Sequence, residues 1–162
     1  MNQREDRAVV VTGASSGIGQ ATALCLAERG FRVFAGVRKT EDGESLRTKS
    51  AGRIVPLILD VTDAVSVAAA AESVRAQLGD HGLDGLVNNA GIATPAPVEY
   101  MTADVLRRQF EVNVFGQVAV IQSFLPLIRR AGGRIVNVGS VGSHLPFPSA
   151  ALCAGRRGRS AF

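Results

Sequence analysis

Five short apolar runs recur along the chain, separated by segments of helical length, and this alternation constrains the fold more than any other feature. The runs are Ala8–Thr12, Arg32–Val37, Ile54–Leu59, Leu83–Asn88 and Arg134–Gly139, and each reads as a buried strand. Gly17–Arg29 reads as the first helix, closed by Gly30. Asp63–Leu78 carries Val67, Ala71, Val74 and Leu78 on one face and is closed by Gly79. Thr102–Arg108 opens on a hydroxyl suited to N-capping, and Val112–Arg130 reads as a separate long helix that ends at Gly132-Gly133. The polar stretch Thr40–Arg53 holds a short helix and loops. Strand–helix alternation of this kind predicts an α/β protein: a Rossmann-like, doubly wound parallel sheet with helices on both faces.

The first strand runs directly into VVVTGASSGIGQATA. Gly13, Gly17 and Gly19 allow a tight turn and let backbone N–H groups approach a pyrophosphate, and the helix N-terminus adds a dipole that favours the anion. Ser15 and Ser16 can donate further hydrogen bonds. No Lys-Ser/Thr follows the last glycine, so the turn is not a P-loop.

The chain has 162 residues, enough for one domain, with 46% hydrophobic and 20% charged residues. Its two cysteines, Cys25 and Cys153, form neither a disulfide framework nor a metal-ligand spacing, and they suit a reducing, cytoplasmic setting. The charged start MNQREDRAVVVTG does not read as a signal peptide, and Glu111, Asn113, Gln117 and Gln122 interrupt the longest apolar region, Phe110–Ile128, so no membrane span is expected. The formal net charge is +4, and removing the three tail arginines Arg156, Arg157 and Arg159 leaves +1. No aromatic residues interleave with these arginines, so they do not suggest a nucleic-acid partner.

Together these segments resemble the short-chain dehydrogenase/reductase family. TGASSGIG, from Thr12 to Gly19, is similar to that family's cofactor motif. LDVTD puts Asp60 where the family contacts adenine, and NNAG, from Asn88 to Gly91, is similar to its turn after the fourth strand. FEVNVFG puts Asn113, and GRIVNVGSVG puts Ser140, where the family keeps a catalytic asparagine and serine. The resemblance covers about Ala8 to Pro148. It implies cofactor contacts from Gly13, Ser15, Ser16, Gly17, Ile18, Gly19, Arg38, Asp60, Val61, Asn89, Ala90 and Gly91. It implies an oxidoreductase that interconverts an alcohol and a ketone or aldehyde by hydride transfer, with homo-oligomers common in the family. No metal site and no particular substrate is implied.

The nucleotide follows from the end of the second strand. Val37 stands where an acidic residue would bond a ribose 2′-OH, and Arg38 and Lys39 follow it. A guanidinium there suits a 2′-phosphate, so NADP is expected, with NAD as the alternative.

The family's Tyr-x-x-x-Lys pair, expected about a dozen residues after the serine, has no counterpart. The single tyrosine, Tyr100, precedes Ser140 and has Asp104 four positions on. The region after Ser140 offers Cys153 and Arg157, or His144, as poor substitutes, and His81 reads as a surface residue. The family pattern runs to about 250 residues, an ordinary single-domain size. The expectation is therefore an incomplete Rossmann domain over residues 1–152, an aberrant basic tail over 153–162, and little or no turnover. An out-of-frame tail would account for the sudden arginines.

Overall fold

The computed structural model of the protein describes residues 7–94 and 96–140. Over these residues the chain runs β1 (Ala8–Val11), α1 (Gly17–Glu28), β2 (Arg32–Val37), α2 (Thr40–Lys49), β3 (Ile54–Ile58), α3 (Ala64–Leu78) and β4 (Gly85–Asn88). A 3-10 turn (Val98–Tyr100), α4 (Ala103–Phe110), a π-helical turn (Glu111–Phe115), α5 (Gly116–Ala131) and β5 (Arg134–Asn137) follow.

The five strands pair in parallel, in the order β3-β2-β1-β4-β5. The chain builds outward from β1 to β3, then returns to lay β4 on the other side of β1. That reversal opens a crevice at the carboxyl ends of β1 and β4.

Period-two alternation sends the residues of β1 to opposite faces. Ala8 and Val10 join Phe34, Val67 and Val74 of α3, and Val120 and Phe124 of α5. Val9 and Val11 join Val33, Ala35, Ala23 and Ala27 of α1, and Leu46 of α2. The sheet is thus covered on both faces, as expected of the Rossmann-like arrangement. Phe34 and Phe124 are fully buried, and burying a side chain of this size contributes about 1.5–3 kcal/mol.

Three sequence expectations need correction. Strands β1, β3, β4 and β5 are shorter than the apolar runs, β4 starting at Gly85 rather than Leu83. The structure ends β5 at Asn137. Nor is β5 buried: its residues alternate between exposed and half-buried, and Val136 is 53% exposed, since β5 is an edge of the sheet among the described residues. Finally, the helices expected at 102–108 and 112–130 are one continuous helix, Ala103–Ala131. The π turn accommodates Glu111–Phe115 without a break.

By length and composition alone that helix could cross a membrane, its most apolar 18-residue window having a mean hydropathy of 1.3. In this fold its buried residues Val120, Phe124, Leu127 and Ile128 pack into the core beneath the sheet. The expected N-cap does hold, since Thr102 Oγ1 accepts from the Val105 N–H. His144, Cys153, Arg157 and the tail over 153–162 lie outside the described residues.

Candidate functional site

The chain leaves β1 at Thr12 and turns into α1 through the glycine-rich segment. Gly13 has φ +63, and a Cβ there would stand 2.8 Å from the Ala90 Cα. A Cβ on Gly19 would collide with the Gly13 carbonyl oxygen and the Asn89 side-chain amide. Both positions therefore need glycine for close approach, and the turn is held tightly against the residues after β4.

Ser16 is the N-cap of α1, but its side chain makes no capping hydrogen bond. At α3 and α4 the N-cap residues Asp63 and Thr102 do cap. The leading N–H groups of α1 are thus left without a side-chain acceptor at the positive end of the helix dipole. This suits an anion such as a pyrophosphate.

Thr12 locks the turn to the opposite strand. Its Oγ1 accepts from the backbone N–H groups of Asn89 at 3.0 Å and Ala90 at 2.9 Å. Asn89 returns the link, its Nδ2 donating to the carbonyls of Thr12 at 3.0 Å and Gly13 at 3.1 Å. Thr12 is 1% exposed, so these bonds are shielded from competing water.

Beside this joint lies a cleft of about 640 Å³. Of the residues expected from sequence, Gly13, Ser15, Ser16, Ile18, Arg38, Asp60, Val61, Asn89, Ala90 and Gly91 line it. Gly17 and Gly19 do not, and they shape the turn instead. Arg38 is exposed and makes no ion pair among the described residues. Val37 is buried in the core, so no carboxylate at the end of β2 competes with an incoming anion. The Asp60 carboxylate accepts from Thr62 N at 2.9 Å and Thr62 Oγ1 at 2.7 Å. These two bonds, and more weakly the Arg38 charge, hold its pKa below the ordinary value.

Asn113 and Ser140 are not among the cleft-lining residues. Asn113 is buried in the π turn, and its amide is committed at both ends to Ile92: Oδ1 accepts from Ile92 N and Nδ2 donates to Ile92 O, each at 2.9 Å. Each end keeps one further bonding position, a second Nδ2 hydrogen and a second Oδ1 lone pair. Ser140 is half-buried, three residues beyond the end of β5. That end is fixed beside β4 by the Val138 N–H donating to the Asn88 carbonyl at 2.9 Å. Tyr100 is 76% exposed in the 3-10 turn, and Asp104, four positions on, pairs with Arg107.

Sequence reasoning missed the helical wall of the cleft, formed by Arg108, Glu111 and Val112, together with Thr62 and Ile92. The i, i+3, i+4 spacing of the first three was a usable signal once Asn113 was singled out. Reading two helices instead of one hid it.

The uncapped helix start, the free cation at Arg38 and the acceptor at Asp60 fit a phosphate-bearing nucleotide. Comparison with known proteins agrees. The sequence model described as short chain dehydrogenase matches residues 7–154. Retinol dehydrogenase 16 of Mus musculus is 40% identical over 159 residues, which span 98% of this chain and 50% of that protein. 17-beta-hydroxysteroid dehydrogenase type 6 of Homo sapiens is 41% identical over the same span and the same shares. The chain thus covers about half the length of these curated relatives. A crystal structure of a short-chain dehydrogenase from Streptomyces avermitilis superposes with a TM-score of 0.85 and 36% identity, over 93% of this chain and 55% of that one.

Proposed function

The chain belongs to the short-chain dehydrogenase family, and we propose that it serves an NADP-dependent oxidoreductase interconverting an alcohol and a ketone or aldehyde. The observation that carries this reading is Arg38, an unpaired guanidinium on the cleft beside the uncapped start of α1, with the buried Val37 where an acidic residue would oppose a 2′-phosphate. The cofactor, when bound, supplies or accepts the hydride.

The chain's own residues do the rest. The N–H groups at the start of α1 hold the diphosphate, and Asp60 accepts from the adenine. The joint of Thr12 with Asn89 and Ala90 keeps the glycine turn from opening under the ligand. Ser140 offers its hydroxyl to the substrate oxygen, and Asn113 fixes the 89–92 turn that forms the cleft's floor. The relatives named for retinol and for a 17-beta-hydroxysteroid support an apolar alcohol as substrate.

A second reading has its own observation: the one tyrosine is exposed, has Asp104 rather than a lysine four positions on, and precedes the serine. Tyr100 therefore does not match the family's Tyr-x-x-x-Lys pair, and the proton that a developing alkoxide needs has no matching donor among the described residues. The 162-residue chain is accordingly expected to bind nucleotide and to turn over slowly or not at all. Exposed Phe115 and Val118 on the long helix support self-association there. A cytoplasmic setting is supported by Val120, Phe124, Leu127 and Ile128 of that helix packing into the core.

Titration of the chain with NADPH and NADH, followed by nicotinamide fluorescence, tests the binding claim. NADPH oxidation with a panel of apolar ketones and aldehydes tests the chemistry. Tighter binding of NADPH with negligible oxidation is the expected result. Preference for NADH overturns the NADP reading, and robust oxidation overturns the claim of impairment.

A further inference from the structure

One wall of the nucleotide cleft comes from an element with no place in the cofactor motifs: the end of α4 and the start of the π turn, which contribute Arg108, Glu111 and Val112. Packing fixes where this wall stands. A Cβ on Gly116 would come within 2.8 Å of the Val61 carbonyl oxygen, so the turn lies directly against the segment that follows β3. Strand β3 pairs with β2 in the register Val37↔Ile58. Arg38 and Asp60 thus emerge from neighbouring strand ends, and Arg108 lines the same cleft as both.

Arg108 is also uncommitted. The ion pairs of the described residues, Glu44–Arg47, Glu72–Arg75 and Asp104–Arg107, all place the acid three positions before the arginine. Arg108 and Glu111 have the same spacing in the reverse order, the less favourable orientation on a helix, and do not pair. Arg108 is exposed, and its side chain makes no hydrogen bond or ion pair among the described residues, whereas the side chain of Arg107 beside it is held by Asp104. The Asp60 carboxylate, the other anion at this end, already accepts two bonds from Thr62.

We propose that Arg108 is a second guanidinium that, together with Arg38, selects the nucleotide bearing the additional phosphate on the adenosine ribose. This rests on the NADP reading above and extends it from the end of β2 to a residue on α4. Glu111, one turn further on, opposes the same phosphate and sets an upper limit on the selectivity. The second charge matters because a phosphate held between two guanidiniums gains charge-assisted hydrogen bonds from both, whereas NADH presents only a hydroxyl there.

The test is the dissociation constant of the full chain for NADPH and for NADH, read by nicotinamide fluorescence, in the unaltered protein and in R38A, R108A, R108K and E111Q. R108A is expected to weaken NADPH binding about tenfold and leave NADH within about twofold, with R108K keeping most of the affinity and E111Q tightening NADPH selectively. The difference between nucleotides is expected to shrink as salt is raised. An R108A chain that binds NADPH as tightly as the unaltered one, while R38A loses affinity, overturns the proposal and leaves the NADP reading standing. Equal losses for both nucleotides also overturn it, because Arg108 then contacts their shared part. No preference for NADPH in the unaltered chain, or no binding of either nucleotide, removes the NADP reading and the proposal together.

Discussion

Asn113 clamps Ile92 at both backbone groups, accepting its N–H and donating to its C=O at 2.9 Å each. An asparagine side chain satisfying both polar groups of one residue acts as a staple between the π turn and the turn after β4. Asn113→Leu removes both bonds at a site 4% exposed and is expected to cost about 2–4 kcal/mol. Denaturant unfolding checks this. Asn113→Asp keeps the acceptor but sets a carboxylate against the Ile92 carbonyl, and it is expected to recover stability only where acid protonates it.

Thr12 makes a second, cleaner case. Thr12→Val preserves shape and removes the hydroxyl that accepts from Asn89 and Ala90. A loss of about 1–2 kcal/mol is expected, with weaker nucleotide binding, and Thr12→Ser is expected to restore both. Thermal melts and fluorescence titration of the three proteins make the comparison.

The glycines of the turn separate by cause. Gly19→Ala drives a Cβ into the Gly13 carbonyl and the Asn89 amide, so it is expected to abolish nucleotide binding. Gly17→Ala meets nothing within 4 Å but sits at φ +56, and it is expected to cost about 1 kcal/mol from backbone strain alone. Equal effects of the two substitutions on binding would contradict this division.

Asp60 carries a pH signature. Its bonds from Thr62 lower the folded pKa below the ordinary 3.8, so on acidification the unfolded chain takes up the proton first. Stability from this group is therefore complete above 3.8 and is lost as pH falls through the lower folded value. Asp60→Asn is expected to melt below the unaltered chain at neutral pH, with the gap closing only in strong acid. A gap that closes between pH 5 and 8, about one unit or more above the carboxylate range, would point to another group.

Much of this architecture was legible in the sequence because its signals are local. Alternating apolar runs marked the strands to within one or two residues, and the glycines marked the turn after β1. What escaped notice depended on tertiary context. The π turn follows no sequence periodicity: one extra residue per turn is tolerated because Gly116 lets the helix press against Val61. Thr12 looked like a motif letter, and only the approach of β4 reveals it as a hydrogen-bonding centre. Strand β5 reads as a core strand from its apolar residues, yet what lies on either side of it, not its own composition, decides its burial. Ser140 was legible by its position after a strand, whereas Arg108 became visible only when α4 was seen to wall the cleft.

The long helix is buried along one stripe whose chemistry changes partway. Its first half buries Gln109 and Asn113, and its second buries Val120, Phe124, Leu127 and Ile128. Buried amides, Asn113 held by two hydrogen bonds and Gln109 with its Oε1 unpartnered, and hydrocarbon held by exclusion from water do not melt alike. The amide half is the part expected to exchange its backbone hydrogens first, opening as a unit while the hydrocarbon half stays closed with the sheet. That half also carries the wall of the cleft. A molecule settling there would slow exchange chiefly in α4 and the π turn, so the helix would record occupancy along its length, with protection rising at one end and already saturated at the other.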